Sequence, residues 1–175
     1  MTNVLLTGPP RCGKTTLVER VVERARHTVR LAGFLTREVR EGGDRVGFDV
    51  IALDGREGVL ARKGGGRGPR VGSYVVDLPS FERVGVAALL DSAAEAIVID
   101  EIGAMELHSA SFREAVLAAL DGPRPVLATI RQRPEPFCDA VKRRPDVELI
   151  TVTARNRDGL VDDVTRRLLA ACGRA

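Results

Sequence analysis

Gly8-Pro9-Pro10-Arg11-Cys12-Gly13-Lys14-Thr15 decides how this chain is read. The eight residues fill every fixed position of the pattern G-x-x-x-x-G-K-[ST]. Just before them, Val4-Leu5-Leu6-Thr7 is a short apolar run that reads as a buried strand. Just after them, Leu17, Val18, Val21, Val22 and Ala25 fall at helical spacing with charged residues on the opposite face. Strand, tight loop and helix are the context in which this pattern wraps a phosphate. Successive backbone N–H groups turn inward, and the two glycines allow angles and approaches that a Cβ opposes. The helix adds the positive end of its dipole. Lys14 is then placed to reach the β- and γ-phosphates, and the Thr15 hydroxyl to ligate Mg²⁺. The spacing G-x-G-x-x-G of a dinucleotide site is absent from this loop.

Outward from the loop, the next informative stretch is Ile97-Val98-Ile99-Asp100-Glu101, an apolar strand that ends in two carboxylates. At the C-terminal end of a parallel strand these face the same crevice as a phosphate loop. Asp100 suits the second Mg²⁺ contact, direct or through water. Glu101 is placed to polarise a water for attack on the γ-phosphate, which a kinase avoids and a hydrolase needs. Lys14 and Glu101 are therefore the catalytic pair, and Thr15 and Asp100 the metal pair. The nucleotide-binding set is Gly8, Pro9, Pro10, Arg11, Cys12, Gly13, Lys14, Thr15, Thr16, Asp100, Glu101 and Gly103. The bland alternatives are a chance pattern in a Gly-containing loop, and paired acids that only cap a strand.

The remaining chain alternates strands and helices. Pro79–Leu90 and the run Phe112, Ala115, Val116, Ala119, Leu120 read as helices, the second stopped by Gly122-Pro123. Val126–Ile130 and Val147–Val152 read as strands, and a last amphipathic helix starts at Asn156 or Gly159. Residues 33 to 72 differ. Eleven of the 18 glycines lie there, and Gly-Gly, Asp-Gly and Gly-Gly-Gly separate the segments Gly33–Arg40, Arg45–Leu53 and Gly58–Arg62. That punctuation predicts antiparallel hairpins, with a mobile loop over Lys63–Arg70. The expected fold class is α/β: a mostly parallel sheet flanked by helices, in one domain over residues 1–175, with a hairpin-rich insertion over 33–75.

Bulk properties exclude several classes. The 175 residues carry a formal charge of only +3, from 27 Lys plus Arg against 24 Asp plus Glu. With 3% aromatic residues there are few stacking platforms, which argues against a nucleic-acid partner. Cys12, Cys138 and Cys172 match neither a zinc site nor a disulfide framework, so a reducing cytoplasmic setting is expected. No apolar stretch approaches the ~20 residues of a membrane span, and the chain opens on a strand without the pattern of a signal peptide. A monomer is expected, since no coiled-coil or apolar seam is apparent.

Taken together these motifs resemble the THEP1-type nucleoside triphosphatases, called cancer-related nucleoside triphosphatases in vertebrates. The resemblance runs over nearly the whole chain. Gly8–Thr16 is common to P-loop proteins. More specific are Gly33–Arg40, Val71–Leu78, Asp100-Glu101-Ile102-Gly103-Ala104-Met105-Glu106-Leu107 and Asn156-Arg157-Asp158, in this order. The resemblance implies a P-loop NTPase fold of the additional-strand class. It also implies hydrolysis of several NTPs, ATP and GTP among them, to NDPs and phosphate, with little base selectivity. Ala104 stands where the family often has Lys, and Arg155 where it usually has Glu.

Weaker candidates remain. A cation on the developing charge aids phosphoryl transfer, and Arg37, Arg40, Arg62 and Arg131 are candidates, the hairpin arginines favoured as a set. Thr129 is a candidate γ-phosphate sensor. Asn156 and Arg157 are candidates for contact with the base, or else Asn156 caps the last helix. Cys12, Met105, His27 and His108 read as packing or surface residues. Two further function classes compete: a kinase of a nucleoside, polynucleotide or small molecule, and a nucleotide switch or nucleic-acid-stimulated ATPase. A guanine-reading switch needs an Asn/Thr-Lys-x-Asp segment, which is missing.

Overall fold

The computed structural model describes residues 3–174. Its centre is the strand β1 (Asn3–Thr7), buried at every position. Burial on both faces demands parallel neighbours with helices above and below. β1 accordingly pairs in parallel with β8 (Val126–Ile130) on one side and β9 (Val147–Thr151) on the other. The remaining strands are β2 (Leu31–Glu41), β3 (Asp44–Ala52), β4 (Glu57–Lys63), β5 (Arg70–Val71), β6 (Tyr74–Val76) and β7 (Ala96–Ile102). Among the described residues they form one nine-stranded sheet in the order β5-β6-β4-β3-β2-β7-β8-β1-β9.

The period-2 alternation of the central strands sorts their side chains between two apolar layers. Val4, Leu6, Val98 and Leu127 face one side, against Leu17, Val18 and Val21 of α1 (Lys14–Ala25) and Val161, Val164 and Leu168 of α5 (Arg157–Ala171). Leu5, Ile97, Ile99, Ala128 and Ile130 face the other, against α2 (Leu78–Phe81), α3 (Ala110–Asp121) and α4 (Pro136–Lys142). Each large apolar side chain so buried contributes roughly 1.5–3 kcal/mol. Local signals set the helix ends. The Ser109 hydroxyl accepts from the Phe112 N–H at 3.1 Å to start α3, and the Glu135 carboxylate accepts from the Cys138 N–H at 2.8 Å to start α4.

The hairpin region has the antiparallel character read from its glycines, but its edge falls elsewhere. β2 starts at Leu31, and its residues Leu31–Phe34 pair in parallel with Ala96–Ile99 of β7. The same strand then continues from Phe34 to Glu41 antiparallel to β3. Its first half thus belongs to the parallel sheet, so the change of pairing falls inside one strand. Gly42-Gly43 is the two-residue turn between β2 and β3, with Glu41 opposite Asp44. The expected helix Pro79–Leu90 is α2 followed by a wide π-type turn over Glu82–Val86. There a Cβ on Gly85 would press on the Phe81 ring. α4 was not anticipated.

Phe34 on β2 joins the two regions. Its ring stands 5.6 Å from Phe81 and 6.0 Å from Phe112, centroid to centroid, and all three rings are fully buried. Aromatic triads of this kind add to area burial. Phe34→Ala is therefore expected to lower stability by about 3–5 kcal/mol in urea titrations; a loss under 1 kcal/mol would mean that this cluster does not hold the hairpins to the sheet.

Candidate functional site

The loop Gly8–Gly13 leaves the C-terminal end of β1 and delivers the chain into α1 at Lys14. Two glycines let it sit where it does. A Cβ on Gly8 would collide with the Val152 carbonyl at the end of β9, and Gly13 is left-handed at φ +98° with the Arg157 side chain packed against it. Neither place admits a side chain. Pro9, Pro10 and Arg11 are exposed, with Arg11 at φ 65°. Cys12 is buried in the α1/α5 core, the packing role expected of it. The Lys14 ammonium turns back across the loop, donating to the carbonyls of Gly8 at 3.2 Å and Pro9 at 3.5 Å. Thr15 and Thr16 occupy the first turn of α1, both half-buried.

Asp100 lies on β7, two strands from β1, with β8 between them. Its carboxylate is 1% exposed and held by hydroxyls. Thr129 donates to Oδ1 at 2.6 Å and Thr36 donates to Oδ2 at 3.3 Å. Burial pushes its pKa up, and these hydroxyls offset part of that by favouring the ionised form. Thr129 thus spends its hydroxyl on Asp100 and is fully buried. Glu101 follows, half-buried, and faces the cleft. Burial raises its pKa, Lys14 and Arg131 pull it down, and Asp100 pushes it up again.

Of these groups Gly8, Pro10, Lys14, Thr36 and Glu101 line one cleft of about 410 Å³. Gly8, Pro10 and Lys14 form its phosphate-loop wall, Glu101, Gly103 and Glu106 its floor, and Phe48, Leu60 and Val71 an apolar wall supplied by the hairpins. Glu106 was not singled out as a site residue from sequence. It is 5% exposed, and burial together with the charges of Glu101 and Asp100 raises its carboxyl to about 8. Its Oε2 and the Glu101 Cδ lie 3.0 and 3.4 Å from the point where a Cβ on Gly103 would stand, so the two acids converge over that glycine. A single Glu between Met105 and Leu107, just past a strand that ends in two acids, was the available signal. Met105 is half-buried, packs on the core and also lines the cleft.

Other candidates fall outside the cleft. Arg37 pairs with Asp49 and Glu57, Arg40 with Glu38, and Arg62 with Asp49. The hairpin arginines are thus tied up by carboxylates of the hairpin strands, Arg37 and Arg62 across strands and Arg40 along its own; Arg131 alone of the four lines the cleft. Asn156 does not cap α5. Its side chain accepts from the Thr153 N–H at 2.7 Å and donates to the Thr151 carbonyl at 2.9 Å, fixing the loop after β9 beside the phosphate loop. His27 and His108 are exposed. No described helix is long and apolar enough to cross a membrane.

Reading β9-β1-β8-β7-β2 across the sheet, a strand is inserted between the one that launches the phosphate loop and the one that ends in Asp100-Glu101. That order, with the loop, defines a P-loop NTPase of the additional-strand class. The comparisons with known proteins narrow it further. The model of the family described as NTPase matches residues 3–165. A nucleoside-triphosphatase THEP1 of Thermofilum pendens is 50% identical over 98% of both chains, and the human cancer-related nucleoside-triphosphatase is 42% identical over 93% of this chain and 94% of its own. The solution structure of a human cancer-related nucleoside triphosphatase superposes with a TM-score of 0.85 at 40% identity, covering 97% of this chain and 98% of that one. The crystal structure of THEP1 from Aquifex aeolicus gives 0.86 at 36% identity, covering 95% and 99%. The chain belongs to this nucleoside-triphosphatase family.

The raised Glu106 carboxyl has a consequence for stability. Between its ordinary value of 4.5 and about 8 the folded chain holds a proton that the unfolded chain has lost. The contribution is complete below that window and is lost as pH rises through it, so stability falls with pH there. Glu106→Gln should flatten this slope in metal-free thermal melts and raise Tm at pH 8, by roughly 2–4 °C per kcal/mol recovered. An unchanged slope would contradict the buried, ionisable state of this side chain.

Proposed function

We propose that the chain is a Mg²⁺-dependent hydrolase of ATP, GTP and other nucleoside triphosphates, working as one domain with little base selectivity. The observation that carries the reading is the placement of Glu101 in one cleft with Lys14, beside the hydroxyl-held Asp100. Gly8 to Thr16 line the phosphates with backbone N–H groups, and Lys14 leaves its two loop carbonyls for the β- and γ-phosphates. Asp100, Glu101 and Gly103 close the γ-phosphate end.

Thr15 and Asp100 are the metal pair. Both offer hard oxygen ligands, Thr15 from the first turn of α1 and Asp100 from β7, and Mg²⁺ takes one or two such protein ligands together with substrate phosphates rather than a full protein cage. Among the described residues no cluster of three His, Cys, Asp or Glu side chains offers such a cage. When bound, Mg²⁺ would neutralise charge on the β- and γ-oxygens. Glu101 orients the water and accepts its proton as the water oxygen attacks the γ-phosphorus. The bond to the β-phosphate oxygen breaks, and NDP and phosphate leave. Little base selectivity fits a cleft with an apolar wall of Phe48, Leu60 and Val71.

The test is phosphate release from ATP, GTP, CTP and UTP with Mg²⁺ and no added acceptor or nucleic acid. Wild type should hydrolyse several of them. Glu101→Ala should bind nucleotide and turn over at least ~100-fold slower, and Lys14→Ala should lose binding. Nucleotide binding without phosphate release would overturn the hydrolase reading in favour of transfer to an acceptor.

A further inference from the structure

Phosphoryl transfer builds charge on the γ-oxygens that Lys14 and one metal ion share incompletely, and an arginine commonly completes the neutralisation. The side-chain inventory narrows the choice in this chain. Arg37, Arg40 and Arg62 are held by carboxylates of the hairpin strands. Arg157 packs its side chain on Gly13 beside Asp158, on the α5 side of the loop. Arg131 differs from all of these. Among the described residues its guanidinium makes no ion pair or hydrogen bond, although it is half-buried. Leaving a guanidinium partly desolvated and unpartnered carries a cost, and carboxylates are at hand elsewhere on this surface for most arginines.

Its place in the fold is also fixed. Arg131 is the first residue after β8, the strand between β1 and β7. Its backbone N–H donates to the Ile102 carbonyl at 3.2 Å, next to the Ile130–Ile102 pairing. That bond sets the root of the side chain between the phosphate loop and Glu101. The guanidinium lines the same cleft as Lys14 and Glu101, and its charge acts on the Glu101 carboxylate. Arg133 reaches the same cleft from an exposed position.

We propose that Arg131 is a catalytic residue supplied in cis, whose planar guanidinium engages the γ-phosphate oxygens as the bond to the leaving NDP breaks. The assignment rests on the hydrolase reading above. An interaction made only as charge develops raises kcat and leaves substrate affinity nearly unchanged. The two N–H groups of the fork match two phosphate oxygens, which a lysine ammonium at the same place does not.

Three variants and two readouts test this. Arg131→Ala should lower kcat for Mg·ATP by roughly 10²–10³-fold with KM within a few-fold of wild type. Arg131→Lys should recover only part of the rate. Arg37→Ala should hydrolyse ATP near the wild-type rate. Independently of turnover, wild type should bind ADP with aluminium fluoride, a mimic of the transferring phosphoryl group, far more tightly than ADP alone. Arg131→Ala should lose that gain while keeping its ADP affinity. Equal rates and equal aluminium-fluoride binding for wild type and Arg131→Ala would overturn the assignment and leave the hydrolase reading intact. A wild type that releases no phosphate would remove both.

Discussion

The site depends on how the phosphate loop is wedged between β9 and α5. The Val152 N–H donates to the Thr7 carbonyl at 2.7 Å, which ties the end of β9 to the end of β1. Gly8 then passes so close to the Val152 carbonyl that no side chain fits, and Gly13 turns left-handed under Arg157. Arg157 is the first residue of α5, whose apolar face packs with that of α1 on the sheet. The loop is thus shaped by its own packing. Groups held in place in advance cost no reorganisation when a ligand binds, which is the condition under which they act strongly.

Around that frame the cleft carries an uneven balance of charge. Asp100, Glu101 and Glu106 bring three acids into a small, partly dry volume, and all three have raised pKa values, chiefly from burial. Facing them are Lys14 and Arg131. Acids in such surroundings are costly to fold around and are concentrated where chemistry needs them. Hydroxyls of Thr36 and Thr129 keep Asp100 satisfied without cancelling its charge, so it stays available to a cation. Thr36 stands on β2 in the stretch that pairs with the hairpin strand β3. The hairpin region therefore shapes the site, through one hydroxyl on Asp100 and through the apolar wall of Phe48, Leu60 and Val71.

Much of this was legible in the sequence, for definite reasons. Gly8–Thr15 fills a pattern whose glycines, Lys and Thr stand at fixed spacing for physical reasons, and Asp100-Glu101 ends an apolar run of the kind a buried strand leaves. The central strands and α1, α3 and α5 followed from simple periodicity. What escaped depended on partners distant in sequence. The alternation in Leu31–Glu41 signals a strand, but nothing in it says that one half pairs with β7 and the other with β3. α4 is seven residues long, too short for a periodic signal, and starts at Pro136 in a Pro-rich stretch. Arg37, Arg40 and Arg62 were preferred to Arg131 because they lie in a Gly-rich region. Their carboxylate partners settle the matter, and those of Arg37 and Arg62 lie across strands and are known only once the register is known. Glu106 looked like one more charge past the strand until its burial was seen.

The central claim is that a water held by Glu101 attacks the γ-phosphorus of a nucleotide seated in the phosphate loop. Hydrolysis of ATP in water enriched in oxygen-18, followed by phosphorus-31 NMR and mass spectrometry of the products, tests it most directly. The account predicts ADP and phosphate as products, with one solvent oxygen in each phosphate released by a single turnover and none in ADP. Solvent oxygen in the nucleotide, or AMP and pyrophosphate as products, would contradict it.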